Sequence, residues 1–462
     1  MERVALSIRP YARLLSMLGD QLIKNERIAL VELIKNAYDA DADRVEVRFE
    51  DFNEDMSHNV GSRIVVRDDG IGMTPEVVQT QWMNPAAPRK YLNKKKGRGR
   101  TQGKKRVIHG DKGIGRFAVL KLGMVFTVTT RPASHDHESV LYYDFSQFDN
   151  EFVSENNRDT PVFLDEIKIE YVQRDPQTFP GTQNGTEIEI RNLRGVWDDN
   201  IIEQLCGDVY SLTDPVSRIT GHDAPDSLEI VIVCNKKRRR FGTDSRETLA
   251  ALIEDKAVLS IDGRFDSATN SFMYTIGDNK HEISLQDSKI TGLWIWRQRF
   301  GKSTKDNAAA DLRFKCGDIV FQFHIFDFSR GLQNRYALTS DEKRLLKTHR
   351  IYLYRDRMRV YPYGDPDDDW LSIDVTRGTG RAGNFFSNDQ ILGSIDITQE
   401  GNPELRDKTS REGLIETGGA ATDLKFLVQT FLSYINQYPY KRYESSGRDR
   451  NIVQTVRDKL IS

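Results

Sequence analysis

The chain has 462 residues, of which 38% are hydrophobic, 10% aromatic and 29% charged, with a mean hydropathy of -0.58. That length exceeds what one ordinary hydrophobic core organises, so two domains are expected, and no window approaches the roughly 20 consecutive apolar residues of a membrane-spanning helix. The 67 Lys and Arg nearly balance the 69 Asp and Glu, leaving a net charge of -2 and no global signature of a nucleic-acid or acidic-membrane partner.

The first ten residues, MERVALSIRP, lack the apolar stretch of a signal peptide, so a cytoplasmic location without a membrane partner is expected. Apolar residues recur at three-to-four spacing over Tyr11 to Lys24 and Arg27 to Asp39, which predicts two helices broken near Asn25. Alternation then predicts half-buried strands at Arg44 to Phe49, Arg63 to Arg67, Val125 to Thr129, Val140 to Phe145, Glu166 to Tyr171 and Thr186 to Ile190. Between them, Met83 to His109 is interrupted by Pro85, Pro88, Gly97, Gly99 and Gly103, and is long for a connection inside a compact domain; such segments are functional or mobile. Within it, Arg89 to Arg106 holds ten Lys or Arg and no acid.

From Gly195 to Arg218 the spacing turns helical, and a second set of alternating strands starts at Leu228 and includes Ile319 to Phe326, Ile351 to Tyr354 and Leu392 to Ile397. Lys236 to Arg240 is an unbroken basic run that reads as a solvated loop, and Thr422 to Tyr438 is helical again. Cys206, Cys234 and Cys316 are too widely spaced for a disulfide framework or a zinc site and read as reduced, buried thiols. The expected fold class is α+β: an N-terminal two-layer α/β sandwich over residues 1–195 with a lid at about 84–110, a second α+β domain over 196–438, and a polar tail at 439–462.

Four short motifs carry chemistry. In ALVELIKNAYDADA, residues 29 to 42, Glu32 and Asn36 lie four apart on one helical face. A carboxylate suits a general base for water and an amide oxygen is a hard ligand suited to Mg²⁺, although an ordinary amphipathic helix reads the same way. In VVRDDGIGMT, residues 65 to 74, a strand runs into Asp68-x-Gly70-x-Gly72, where a carboxylate can accept a hydrogen bond from an exocyclic amine; a simple turn has the same letters. In Gly110-Asp-Lys-Gly113-Ile-Gly115 a glycine loop opens a helix, presenting backbone N–H groups to phosphate beside the cation of Lys112. Gly185-Thr186, at the start of a strand, is weakest alone.

In this order and spacing, the region Tyr11 to Asn192 resembles the GHKL superfamily of ATPases, which includes gyrase B subunits, MutL mismatch-repair proteins, MORC proteins, histidine kinases and the ninety-kilodalton heat-shock chaperones. The resemblance implies the Bergerat ATP-binding fold, with Glu32 as general base and Asn36 as the Mg²⁺ ligand, supported by Asp39. It implies Asp68 on the adenine amine, Gly70, Gly72 and Met73 in its turn, Lys112, Gly113, Ile114 and Gly115 at the phosphates, and Thr186 near the adenine. The basic stretch sits where the family has its ATP lid, and its charge serves the triphosphate, a nucleic acid, or neither.

A second resemblance lies downstream: IYLYRDRMRV at 351–360, DDWL at 368–371 and ILGSIDITQEGNPELRDKTSREGLIE at 391–416 are similar to the middle domain of the heat-shock chaperones. It implies that Arg411, in the SRE triplet, reaches the γ-phosphate; the ordinary alternative pairs it with Glu412 or Glu416, and Lys408 is the residue to test if a MutL-like lysine acts instead. The implied function is Mg²⁺-dependent ATP hydrolysis driving a conformational switch. The implied partner is a second copy of the chain, dimerising with ATP and exchanging Met1 to Arg9 as a strap, and the clamp closes on DNA or a protein client in defence or DNA transactions. A protein chaperone, a histidine-kinase-like phosphotransferase and a non-catalytic ATP-binding module are the alternatives. Against the kinase, no histidine is set in a helical hairpin ahead of the ATPase region.

Overall fold

The computed structural model describes residues 8–12, 14, 17, 23–84, 99–110, 115, 118–146, 152–155, 158–212, 228–239, 243–301, 312–329, 335–380, 382–408 and 413–445. The chain divides into two compact units, residues 1–212 with 223–242, and residues 213–222 with 243–462.

In the first unit, α1 (Glu26–Asp39) starts where the Asn25 side chain accepts a hydrogen bond from the Ile28 N–H at 3.0 Å, an N-cap that satisfies one of the helix's unpaired donors. Its apolar residues Leu30, Val31, Leu33 and Ile34 are buried. The strands that follow are β1 (Arg44–Glu50), β2 (Arg63–Asp68), β3 (Gly123–Arg131), β4 (Glu138–Asp144), the hairpin β5 (Phe152–Glu155) and β6 (Arg158–Pro161), β7 (Glu170–Arg174), β8 (Gly185–Leu193), β9 (Glu229–Cys234) and β10 (Lys237–Arg239). Eight of them form one sheet in the order β10-β9-β1-β2-β8-β3-β4-β7, antiparallel except where β9 runs parallel to β1.

Val45, Val47 and Phe49 of β1 point to one face, where α1 packs with α2 (Ala118–Leu122) and α3 (Asp199–Tyr210). The opposite face has no helical cover among the described residues and is laced by ions instead. Arg48 pairs with Glu46, Glu50 and Glu187, Arg63 with Glu50 at 2.6 Å, and Arg191 with Glu189 at 2.6 Å. A sheet with helices on one side is the two-layer sandwich that the patterning predicts.

Three expectations change. The first unit runs past residue 195, because β9 adds to the sheet beside β1, with Val45 opposite Ile230 and Phe49 opposite Cys234. The basic run therefore caps this sheet: Asn235 and Lys236, both at positive φ, turn the chain into β10, and Arg238 and Arg239 pair with Glu229 and Asp199. The strand expected at Glu166 to Tyr171 begins only at Glu170. Glu166 is instead the end of a helical turn, Leu164–Glu166, and its carboxylate accepts from the Phe163 N–H at 3.0 Å. Most of the helix expected at Tyr11 to Lys24 lies outside the described residues. At its first residue, Tyr11 stacks on Phe163 at 4.9 Å, while Arg9 pairs with Asp165 and Glu166.

The second unit is built on a seven-stranded sheet of β11 (Leu259–Asp266), β12 (Ser271–Ile276), β13 (Asn279–Ser284), β14 (Ile319–Ile325), β15 (Ile351–Arg355), β16 (Met358–Arg359) and β17 (Ile391–Ile397), ordered β13-β12-β11-β14-β17-β15-β16. Its long helix, Ala420–Ile435, buries Leu424, Leu427 and Phe431 in an aromatic core where Phe431 meets Phe321 at 4.6 Å and Phe272 at 4.8 Å. A second cluster joins Leu249, Leu252 and Ile253 of the helix Thr243–Lys256 to Tyr352, Tyr354 and Leu392. The tail expected from residue 439 does not begin there. The helix widens into a π turn around Pro439 and continues, with Tyr440 buried against Phe386 at 5.1 Å; residues 446–462 lie outside the described residues.

No described helix is long and apolar enough to cross a membrane. The three cysteines are free and buried, and burial pushes the Cys206 and Cys316 thiols up to about 12, which removes them as nucleophiles at neutral pH.

His324 is buried and His349 half-buried in the second unit, and both bear on its stability in acid. His324 Nδ1 lies 2.9 Å from Ser260 Oγ and His349 Nδ1 lies 2.7 Å from the Tyr352 hydroxyl. Burial depresses both rings to about 4, with Arg359 and Arg350 adding to the effect at His349. The unfolded chain takes up these protons near 6.5, so stability is fully present above that value and is lost as pH falls toward 4. The urea midpoint read by hydrogen exchange in β14 and β15 is expected to fall between pH 7.5 and 5, reflecting a loss of unfolding free energy on the order of 1–2 kcal/mol per histidine. An unchanged midpoint would mean that the rings are already solvated.

Candidate functional site

The inner face of the first sheet brings three polar side chains side by side at one end: Asp68 of β2 is opposite Thr186 of β8, which is opposite Thr130 of β3. Asp68 Oδ1 accepts hydrogen bonds from the backbone N–H groups of Gly70 at 2.9 Å and Thr186 at 3.2 Å. Its Oδ2 takes no protein hydrogen bond among the described residues. Burial pushes this carboxyl up to about 7, against the opposing pull of the two amides. Thr130 Oγ1 accepts from the Met73 N–H at 2.9 Å and lies 3.0 Å from both the Gly185 carbonyl and the Thr186 hydroxyl.

The glycines are required by backbone proximity. A Cβ on Gly70 would stand 2.6 Å from the Ala40 carbonyl oxygen, and Gly72, at φ +67°, turns directly against the backbone of Arg131. The turn is sealed onto the end of α1 by the Ile71 N–H, which donates to the Ala40 carbonyl at 2.8 Å, and by Asn184 Nδ2, which donates to the Gly70 carbonyl at 2.6 Å.

On α1, Glu32 is 1% exposed and Lys35 Nζ stands 3.4 Å from its Oε1. Asn36 is half-buried, and among the described residues its side chain makes no hydrogen bond. Asp39 Oδ1 accepts from the His109 N–H at 2.9 Å and its Oδ2 from the Gly110 N–H at 2.7 Å, fastening the start of the glycine loop to the helix. Gly115 is buried at the other end of that loop, while Lys112, Gly113 and Ile114 lie outside the described residues.

Residues 85–98 of the expected lid also lie outside the described residues, but its second half is not structureless. Arg100 bridges to Val107, and the Thr101 N–H donates to the Arg106 carbonyl at 2.8 Å. Arg106 is 3% exposed, lies 4.3 Å over the Tyr38 ring, and donates to the carbonyls of Ala42 at 2.7 Å and Tyr38 at 3.3 Å. Lys104 pairs with Asp43, and the Gly103 N–H with Asp41 at 2.9 Å. These cations meet the carbonyl end of α1, where the helix dipole favours positive charge, so this part of the basic stretch is structural.

In the second unit the SRE triplet, including Arg411, lies outside the described residues, but the stem that carries it is defined. Asp407 bridges to Leu414, the exposed Lys408 donates its N–H to the Gly413 carbonyl at 2.9 Å, and the Ile415 N–H donates to the Arg406 carbonyl at 2.7 Å. Buried Arg355 holds Asp407 at 2.7 Å, and the Tyr363 hydroxyl accepts from the Leu414 N–H at 2.8 Å.

The motifs Glu32-x-x-x-Asn36 and Asp68-x-Gly70-x-Gly72 are thus joined through Ala40, and Thr186 joins them through Asp68. Sequence reading misses Thr130, Asn184 and Lys35. Thr130 needs the β3–β8 register to be placed, whereas the three-residue spacing of Lys35 from Glu32 is a signal already present in the helix.

The donor set fits a nucleotide with a hard metal. Among the described residues no three His, Cys, Asp or Glu are grouped to hold a metal, and Mg²⁺ in phosphate-transfer sites takes one or two protein ligands with phosphate and water supplying the rest. No curated protein matches the chain. Residues 24–180 match the family model described as histidine kinase-, DNA gyrase B-, and HSP90-like ATPase, so this part of the first unit is similar to GHKL-type ATPase domains.

Proposed function

We propose that the first unit binds ATP with Mg²⁺ and hydrolyses it, and that turnover switches the chain between open and closed states as an ATP-gated dimeric clamp. The observation that supports this most is the seam at Ala40. It makes the helix bearing Glu32 and Asn36 continuous with the turn bearing the Asp68 carboxyl, so a base and a triphosphate can be read by one rigid piece.

In this reading Asp68 Oδ2 accepts the adenine amine, Thr186 lies beside it, and the amides of the loop from Gly110 to Gly115 take the phosphates. Asn36 would hold Mg²⁺, which offsets phosphate charge when bound. Glu32, buried and paired with Lys35, takes a proton from water as the water oxygen bonds to the γ-phosphorus and the bridging oxygen leaves with ADP. Arg411, or failing it Lys408, supplies the cation from the second unit. Dimerisation with ATP, a strap at Met1 to Arg9, and closure on DNA in defence or DNA transactions complete the proposal; a protein client is the alternative.

Hydrolysis is expected to fall roughly 10²–10⁴-fold in Glu32→Gln with ATP binding retained, and nucleotide that binds but is cleaved at the wild-type rate would overturn the assignment. Lys35→Met should lower kcat about tenfold with little change in KM, since a buried carboxylate loses its counter-charge. Arg411→Ala should cost on the order of 10³-fold; if it hydrolyses normally, the chaperone-like reading of the second unit is wrong. Stimulation by double-stranded DNA, measured beside suppression of client aggregation, decides between the two kinds of clamp.

The Asp68 carboxyl gives a pH test. Its proton is held in the folded state up to about 7, so its contribution to stability is present below about 4 and lost as pH rises through 7. An amine donates better to the ionised form, so ATP affinity should rise up to about tenfold from pH 6 to 8, and this part of the rise should vanish in Asp68→Asn.

A further inference from the structure

Thr130 belongs to none of the motifs, yet its hydroxyl is the hub of the polar cluster that joins Met73, Gly185 and Thr186. The residue is fully buried, and three partners surround its Oγ1: the Met73 N–H at 2.9 Å, the Gly185 carbonyl at 3.0 Å and the Thr186 hydroxyl at 3.0 Å. An amide can only donate and a carbonyl can only accept, while a hydroxyl has one proton and two lone pairs. One assignment makes all three contacts hydrogen bonds at once. Thr130 gives its proton to the Gly185 carbonyl, takes the Met73 N–H on one lone pair, and takes the Thr186 hydroxyl proton on the other.

The consequence lies one strand away. With its proton turned toward Thr130, Thr186 Oγ1 shows only lone pairs elsewhere, and on the same sheet face Asp68 Oδ2 is a second acceptor without a protein donor among the described residues. Two acceptors side by side suit the two protons of an exocyclic amine and repel a carbonyl oxygen at the same position.

We infer that Thr130 is a specificity-determining residue for the purine base, acting through Thr186, whose hydroxyl it fixes as an acceptor so that a 6-amino purine is favoured over a 6-oxo purine. The inference rests on the proposed placement of the base at Asp68 and Thr186. Thr130 itself touches only protein, so it is a positioning residue.

Calorimetry of ATP and inosine triphosphate binding to the intact chain tests this, since the two differ at the six-position and at the adjacent ring nitrogen. The wild type is expected to prefer ATP on the order of 10²-fold, and Thr130→Val, which keeps the shape but not the hydroxyl, should reduce that preference about tenfold. Thr130→Ser should restore it. Thr186→Val should reduce it similarly, and adding Thr130→Val to Thr186→Val should change it no further, which a merely structural effect of Thr130 would not produce. Should Thr130→Val fail to fold, Thr186→Val against Thr186→Ser carries the same expectation. An unchanged preference in either valine variant, or equal loss of both nucleotides in Thr130→Val, overturns the inference while ATP binding by the wild type leaves the proposed function standing. Absence of any nucleotide binding by the wild type removes both.

Discussion

The close approach of the end of α1 to the turn after β2 is the constraint on which the first unit depends. The Ile71 N–H donates to the Ala40 carbonyl, and there is no room for a side chain at Gly70 between them. Helix and sheet are thereby locked between the Glu32–Asn36 helix and the turn that follows Asp68. Asn184 reinforces the turn from β8, and Gly72 lets it fold back on β3. A side chain at Gly70 or Gly72 would separate helix from sheet at this point.

Charge in this unit is placed where the backbone or the solvent can support it. Glu32 is buried but has Lys35 beside it, and Arg106 is buried over Tyr38 on the carbonyl end of α1. A buried ion is tolerated only with such partners, because the desolvation cost of several kcal/mol would otherwise favour the neutral form. Asp39 works in the same economy of contacts, accepting two backbone amides and so tying the glycine loop to the helix that carries Asn36. The outer face of the sheet uses the opposite solution, a half-buried ladder of Arg and Glu pairs, each of modest individual value, that keeps this face polar where no described helix covers it.

The second unit holds its loops on a rigid aromatic core. Phe431 packs among Phe272, Phe321 and Phe323, and the sheet so fixed holds the stem, residues 406–408 and 413–415, pinned by Arg355 and Tyr363. A loop tip on such a stem can carry a functional residue without the stem itself moving.

What the sequence determined by itself was local. The helix carrying Glu32 and Asn36, the strand ending at Asp68, the glycines after it and the Gly185-Thr186 strand start are written in spacing and side-chain chemistry within a few residues, and each stands where that spacing puts it. Tertiary structure alone decided the contacts between distant segments. The β9–β1 pairing extended the first unit beyond residue 195, the β3–β8 register placed Thr130 against Thr186, and Asp39 met the backbone amides of His109 and Gly110. A parallel strand pair and a backbone amide donor leave no mark in side-chain periodicity, because the groups that bond are common to every residue and only the fold chooses which of them meet.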